Sequence, residues 1–587
     1  MGTHDPTMRK LPFCLLAMAL SAPAASAQNP RATSFAGDPG GLPNGHSVAS
    51  DGDLSVSLFH DGVSEAIVLN VSDGRGIQWG NTVRVDDASS PQAKFVMGDS
   101  VAVASQKVYA YWRDRRNPPS LTEDLFFQFS ANGGQSFQPA DLQIHKGLPA
   151  GGNDIKDVCM AVDPRDPANG NDDLIAFLIA VEDDTTLNES LYLNYSIDGG
   201  ANFLATALAA TTHNGIADVD NIDLAVDGGK IYALWRDNSL NGVDDHVFLS
   251  VYDAVNGLFT LQDLQLDPAT GLTFEADDGL SIAVSGGKVA AAWQCDLIVG
   301  GGSEVLIVNY SGNGGLTWTG DQVVGGYTPS VHDVDQPDVA VAANGTPVVV
   351  WEDNRLGQDQ VYALHSLDNG ATWTGERQLS TGVGSSPEVR AGADGTVAAA
   401  WGAAVSPNYA EAALSVDAGV TWQNPVTLSS NTGDVDEVRL CRNDAYGNYI
   451  AAWLADDFVL NDVFAGGFRP QSLTAVGDFG TPGAMVSFDV SLWPVPDEGK
   501  QFGVLISGAS GAFVLPNGLN SGLDNTHPVF ALALSNIPGV LSGTISGGSG
   551  STPTFPIPAH AGPLYCTAVA FNSFTDLGAV TDLVLTP

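Results

Sequence analysis

The sequence predicts an all-β chain: a multi-bladed β-propeller followed by a β-sandwich. Three observations lead there. Apolar residues come in short runs, broken by 67 glycines and 32 prolines spread over 587 residues, which suits many strands joined by tight turns. One eight-residue turn pattern recurs five times. An apolar strand ending in Trp-x-Asp recurs in step with it. A chain of this length exceeds one hydrophobic core, so it must split into domains or repeat a unit.

The first 27 residues predict a leader and signal peptide. Met8-Arg9-Lys10 is a basic start, Leu11 to Leu20 an apolar run and Ala25-Ser26-Ala27 a small-residue cleavage site. Ten apolar residues are too few to span a bilayer. The expectation is therefore a protein outside the cytoplasm, secreted, periplasmic or held at the cell surface. Residues 28–45 read as a Gly/Pro-rich lead-in.

The propeller is expected over 46–475. Its turn pattern is Ser-x-Asp/Asn-x-Gly-x-x-Trp/Phe. It occurs at Ser130-Ala-Asn132-Gly-Gly134-Gln-Ser136-Phe137, at Ser196 to Phe203 with Asp198, and at Ser311 to Trp318 with Asn313. It returns at Ser366 to Trp373 with Asp368, and at Ser415 to Trp422 with Asp417. Asp or Asn can bond the backbone N–H groups that follow it, and Gly takes the positive φ of a tight turn. The pattern resembles the Asp box, or BNR repeat, of the sialidase-like superfamily. That resemblance implies a propeller blade and a structural role for Asn132, Asp198, Asn313, Asp368 and Asp417.

The second pattern sets the count. Trp112-Arg113-Asp114, Trp235-Arg236-Asp237 and Trp351-Glu352-Asp353 end apolar strands; Phe59-His60-Asp61 and Val181-Glu182-Asp183 are variants. Trp293, Trp401 and Trp453 hold the same place without the Asp. Each box begins 13 to 18 residues after its aromatic. That spacing exposes two decayed boxes, Ser72 to Trp79 and Ser250 to Phe259, and the last repeat has none. A further short apolar strand precedes each aromatic strand, so each unit holds four strands. Eight units are expected, with seven or six as the alternatives. Sialidases have six blades, so eight departs from the resemblance.

A β-sandwich is expected over 476–587. Alternating apolar stretches run at Met485–Leu492, Phe502–Ile506, Val529–Leu534, Leu564–Phe571 and Leu583–Leu585, split by Gly/Ser/Pro turns.

Composition narrows the partners. With 67 acidic and 23 basic residues, the formal charge is −44. Such a chain repels phosphate backbones, so nucleic acid is excluded as a partner. Cys159, Cys295, Cys441 and Cys566 lack metal-type spacing and read as buried free thiols. No His pair with zinc spacing, no nucleophile elbow and no phosphate loop is present.

Two residue sets are expected at the top of the ring, opposite the boxes. The first precedes the innermost strands: Asp154, Asp157, Asp218, Asp220, Asp223, Asp277, Asp278, Asp333, Asp335, Asp338, Asp434 and Asp436. Of these, Asp218, Asp220, Asp333 and Asp335 are candidate calcium ligands, since carboxylates in number suit a hard cation. Alternatively each caps the turn entering its strand. The second set follows the second strands: Arg113, Asp114, Arg236, Asp237, Asp353 and Arg355. Arginines there could clamp a ligand carboxylate, or pair with the Asp of their own turn. Sialidases use three arginines in that way, with a Tyr nucleophile, a Glu and an Asp acid/base, and carry an Arg-Ile-Pro motif. The motif is missing here, and no catalytic position transfers. The expectation is a secreted, non-catalytic module that binds glycan or extracellular protein; the alternative is a diverged exo-sialidase-like glycoside hydrolase.

Overall fold

The computed structural model describes residues 45–586, apart from 117–122, 146–152, 165–171, 268–271, 274–278, 298–303, 457–460, 492–499, 508–522, 524–540, 557–563 and some shorter stretches. The stretch expected to be a signal peptide, and the expected lead-in up to residue 44, lie outside the described residues. Every regular element described is a β-strand.

Eight antiparallel sheets follow one another, over 46–84, 94–143, 153–209, 219–265, 272–324, 334–378, 385–427 and 434–468. We number these blades one to eight. Within each, strands pair in chain order. Blades two and five carry one extra short strand, and blade eight has three strands. Blade eight is the repeat without a box, which would have led into a fourth strand. Innermost strands of successive blades touch, and Asp434–Asn443 of blade eight meets His46–Asp51 of blade one, closing a ring.

The second strand of each blade is covered on both faces by neighbouring blades, so it is apolar throughout rather than alternating. Leu174–Asp183 is buried over its first eight residues. The aromatic near the end of this strand fills the space between blades. Trp112, Trp235, Trp293, Trp351, Trp401 and Trp453 are all fully buried.

The seam between blades eight and one is polar as well as apolar. Asn443 Nδ2 donates to Ser50 Oγ at 2.6 Å and to the carbonyls of Gly52 and Gly74 at 2.9 and 3.0 Å. Trp79, the aromatic of a decayed box, donates its indole N–H to the Ala465 carbonyl at 3.2 Å.

The five boxes share one geometry. Ser366 Oγ accepts the Gly370 N–H at 2.8 Å and donates to Asp368 Oδ1 at 2.9 Å, and Asp368 Oδ1 accepts the Thr372 N–H at 2.8 Å. The same bonds recur around Asn132, Asp198, Asn313 and Asp417. The Gly at the fifth position of the box has positive φ and rests on the preceding blade. A Cβ on Gly370 would stand 2.3 Å from Tyr310 Cβ, and one on Gly419 2.6 Å from Val348 Cγ2. The box is therefore an inter-blade spacer as well as a turn.

After the ring, Ser472–Val476 pairs with Met485–Ser491, and Gln501–Ser507 with Leu564–Ser573. Phe488 and Val490 from one sheet share a core with Phe502, Val504 and Cys566 from the other, the arrangement of a sandwich. Its first strand begins at Ser472, four residues before the expected boundary, because Leu473 points into this core. The stretch Val529–Leu534 lies outside the described residues. Among the described residues Cys159, Cys441 and Cys566 are free thiols, and Cys295 and Cys566 are buried.

Candidate functional site

The innermost strand of a blade pairs on one side only. Its other edge faces the ring axis, so some backbone N–H groups lack a ladder partner. A buried N–H without an acceptor is costly. A polar residue at one register position answers this need. It stands opposite the residue just before the second-strand aromatic: Ser47 opposite Leu58, Asp157 opposite Ala180, Asp223 opposite Leu234, Ser281 opposite Ala292, Asp338 opposite Val350, Glu388 opposite Ala400 and Arg439 opposite Ala452.

Most of these side chains reach into the next blade. Ser47 Oγ accepts the Val101 N–H at 3.2 Å, and Asp223 accepts that of Ile282 at 2.7 Å. Ser281 Oγ accepts the Val339 N–H at 3.3 Å, Asp338 that of Val389 at 2.7 Å and Glu388 that of Leu440 at 2.8 Å. In blade two, Asp99 accepts the Met160 amide of blade three and the Tyr111 hydroxyl. A bulge before the position aims it, with positive φ at Asn221, Gln336, Ser386 and Glu437 in blades four, six, seven and eight.

Of these residues Asp99, Asp157, Glu388 and Arg439 line a cavity of about 500 Å³ bordered by blades one to four, seven and eight. Arg390 sits two residues beyond the ring position and donates to Asp338 at 2.9 Å while contacting Glu388 at 3.2 Å. Arg439 donates to Glu388 at 3.1 Å. Gly98 leaves room for it; a Cβ there would come within 2.8 Å of Arg439 Cζ. Carboxylates outnumber cations, and burial disfavours their charge. Burial pushes Asp99 up to about 7 and Asp223 up to about 6, against the bonds each accepts. Burial raises Asp338 too, opposed by the Arg390 charge.

The expected ligand clamps are placed differently. Asp114, Arg236, Asp237 and Asp353 are at most 2% exposed. Asp114 accepts the Trp112 indole N–H at 3.2 Å and pairs with Arg116 at 2.5 Å. Asp237 accepts the Trp235 indole N–H at 2.8 Å and meets His213 at 2.8 Å. Asp353 pairs with Arg355, which also holds Glu376 and stacks 4.0 Å above the Tyr362 ring. Arg113 donates to the Ile155 and Lys156 carbonyls of the next blade at 3.0 and 2.9 Å. These arginines serve turns and seams.

The calcium candidates lie in turns. Asp218 and Asn238 bond each other reciprocally, as do Asp333 and Asn354, with Asn354 Nδ2 donating to Asp333 Oδ2 at 2.6 Å. Each pair ties the entry of the innermost strand to the exit of the second. Asp335 stands opposite Glu352 on the ladder. Glu352 is pushed up to about 7 by burial, and the Asp335 charge adds to the rise. Among the described residues no group of three or more His, Cys, Asp or Glu is gathered to hold a metal. Asp277 and Asp278 lie outside the described residues, as do the side chains of Asp220, Asp434 and Asp436.

Sequence reasoning missed Asp99, Glu388, Arg390 and Arg439. A signal existed: Glu388 and Arg439 occupy the register position opposite the aromatic strand, Arg390 lies two residues beyond it, and Asp99 precedes the matching strand of blade two. A search for repeated aspartates passed over the blades that use Glu or Arg there.

No protein-family model matches the chain, and no curated protein matches it in sequence. The chain is similar in structure to polysaccharide lyase Uly1, at 10% identity over 63% of this chain and 89% of that one, with a TM-score of 0.41. It is similar to a PL25 ulvan lyase bound to -[GlcA(1-4)Rha3S]-, at 10% identity, 74% and 96% coverage and a TM-score of 0.43. A third likeness is the α-L-arabinofuranosidase Arb93A from Fusarium graminearum, at 13% identity, 63% and 91% coverage and a TM-score of 0.35.

Proposed function

We propose that this chain is a secreted, non-catalytic propeller that binds a glycan or an extracellular protein at the axial cavity. The observation that supports this is the commitment of the arginines. Arg113, Arg355, Arg390 and Arg439 all hold internal acceptors, so these four are committed within the fold rather than held open for a sugar carboxylate. The test is a glycan array run beside a panel of chromogenic glycosides, using the mature protein. Binding without sugar release is expected. Release of sugar, lost in Asp99→Asn, would overturn the non-catalytic reading.

A second reading has one observation in its favour. Asp99 and Asp157 line the same cavity, and Asp99 titrates near 7. A glycoside hydrolase uses one carboxyl that keeps its proton and another that does not. The same assay separates the two readings.

A further inference from the structure

The face of the ring that carries the boxes holds a second cavity, of about 450 Å³, between blades one and two. It is lined by Asp53, Leu54, Ser72, Gln106, Asn132 and Gln135, among others. Three features set it apart from the other inter-blade seams.

The first is an orphaned hydroxyl. In all five intact boxes the serine oxygen accepts the N–H of the glycine four residues on and donates to the Asp or Asn. Ser72 begins a decayed box whose Asp comes one residue early. It is 4% exposed, lines the cavity, and its Oγ has no hydrogen-bond partner. A buried hydroxyl left unmatched is destabilising, and such a group calls for an explanation.

The second is a strained turn. Ser105 and Gln106 form a two-residue hairpin, with Ala104 facing Lys107, and both have positive φ, 50° and 67°. The same hairpin is Gly228-Gly229 in blade four and Gly286-Gly287 in blade five. Glycine takes this conformation without strain; glutamine does not. Strain of this kind concentrates where a side chain is needed. The Gln106 side chain crosses to blade one, where a Cβ on Gly52 would come within 2.9 Å of its Nε2.

The third is the chemistry of the lining. Gln106 and Gln135 are exposed, and each amide both donates and accepts. Asp53 is an acceptor, Ser72 does both, and Leu54 supplies an apolar wall. No Lys or Arg is among the lining residues, so an anion has nothing to pair with. Amides, a hydroxyl and one carboxylate beside an aliphatic wall match the alternating hydroxyls and C–H face of a neutral sugar.

We propose that this cavity is a binding site for a neutral saccharide, separate from the axial cavity, with which it shares no lining residue. The test is saturation-transfer NMR on the mature chain with the methyl glycosides of glucose, galactose and mannose as probes. At least one glycoside is expected to bind. Gln106→Gly removes the amide and relieves the turn, so it should raise the melting temperature while weakening binding about tenfold or more, the loss of one good hydrogen bond to a buried ligand. Ser72→Ala should weaken binding and leave melting unchanged or raised. Silence from all three glycosides with the wild type would overturn the proposal. So would unchanged binding by Gln106→Gly, and so would competition by methylamine, which would mark a cation site built on Asp53.

Discussion

Asp338 accepts the Arg390 guanidinium at 2.9 Å, and the same carboxylate oxygen takes the Val389 amide at 2.7 Å. One acid on blade six therefore satisfies both an edge N–H and the cation beside it on blade seven. The other oxygen is held by Ser281 of blade five at 2.8 Å. Three blades meet at a single carboxylate.

Asp338→Ala should therefore destabilise the ring. It strands the Val389 amide and leaves Arg390 with Glu388 and the Val389 carbonyl. A loss of about 1–3 kcal/mol is expected for a buried donor without its acceptor, with the ion pair adding little because Arg390 is 40% exposed. Asp338→Asn keeps an acceptor and should lose less. Urea denaturation followed by tryptophan fluorescence measures both, and equal midpoints for wild type and Asp338→Ala would refute the inter-blade role.

A box glycine, Gly370, and a glycine of an ordinary hairpin turn, Gly395, offer a graded test. Gly370 and Gly395 both have positive φ, 77° and 82°. Gly395 has open space where a Cβ would go, and Gly370 has Tyr310 at 2.3 Å. Gly395→Ala should cost about 1–2 kcal/mol from the left-handed backbone alone. Gly370→Ala adds about 1–3 kcal/mol of overpacking. Matching thermal shifts for the two variants would show that the box does not act as a spacer.

Stability should fall as pH rises through the neutral range. Asp99, Asp223 and Glu352 have raised values of about 7, 6 and 7. Between the ordinary carboxylate range near 4 and these values, the folded chain holds more protons than the unfolded one. Its stability therefore decreases with pH across that window. The melting temperature should be higher at pH 5 than at pH 8, and Asp99→Asn should flatten part of the slope. A melting temperature that rises from pH 5 to pH 8 would contradict this.

Chelation should not matter to the turns at Asp218 and Asp333. Their carboxylates are bonded to Asn238 and Asn354, and need no ion to hold the strand ends together. Melting with and without EDTA should agree. A large drop that calcium restores would return Asp218, Asp220, Asp333 and Asp335 to the role of ligands.

Much of the fold could be read in the chain itself. The box fixes a turn locally, because Ser, Asp and Gly within five residues satisfy each other, and the aromatic strands in step with it count the blades. The fully buried second strands show as unbroken apolar runs, and the missing box after Trp453 marks the blade that has three strands. The spacing also placed blades one and four, whose boxes have decayed.

What the sequence could not decide is which polar groups face a ligand and which face another blade. Asp114, Arg236, Asp237 and Asp353 look like an exposed charged motif, yet the neighbouring blade covers them. Arg390 and Asp338 are 52 residues apart and meet only because the ring stacks one innermost strand on the next. Register along a strand is a local property, set by alternation and turns. The partner of a side chain across a blade seam depends on how the sheets twist and close, and only the tertiary structure settles that.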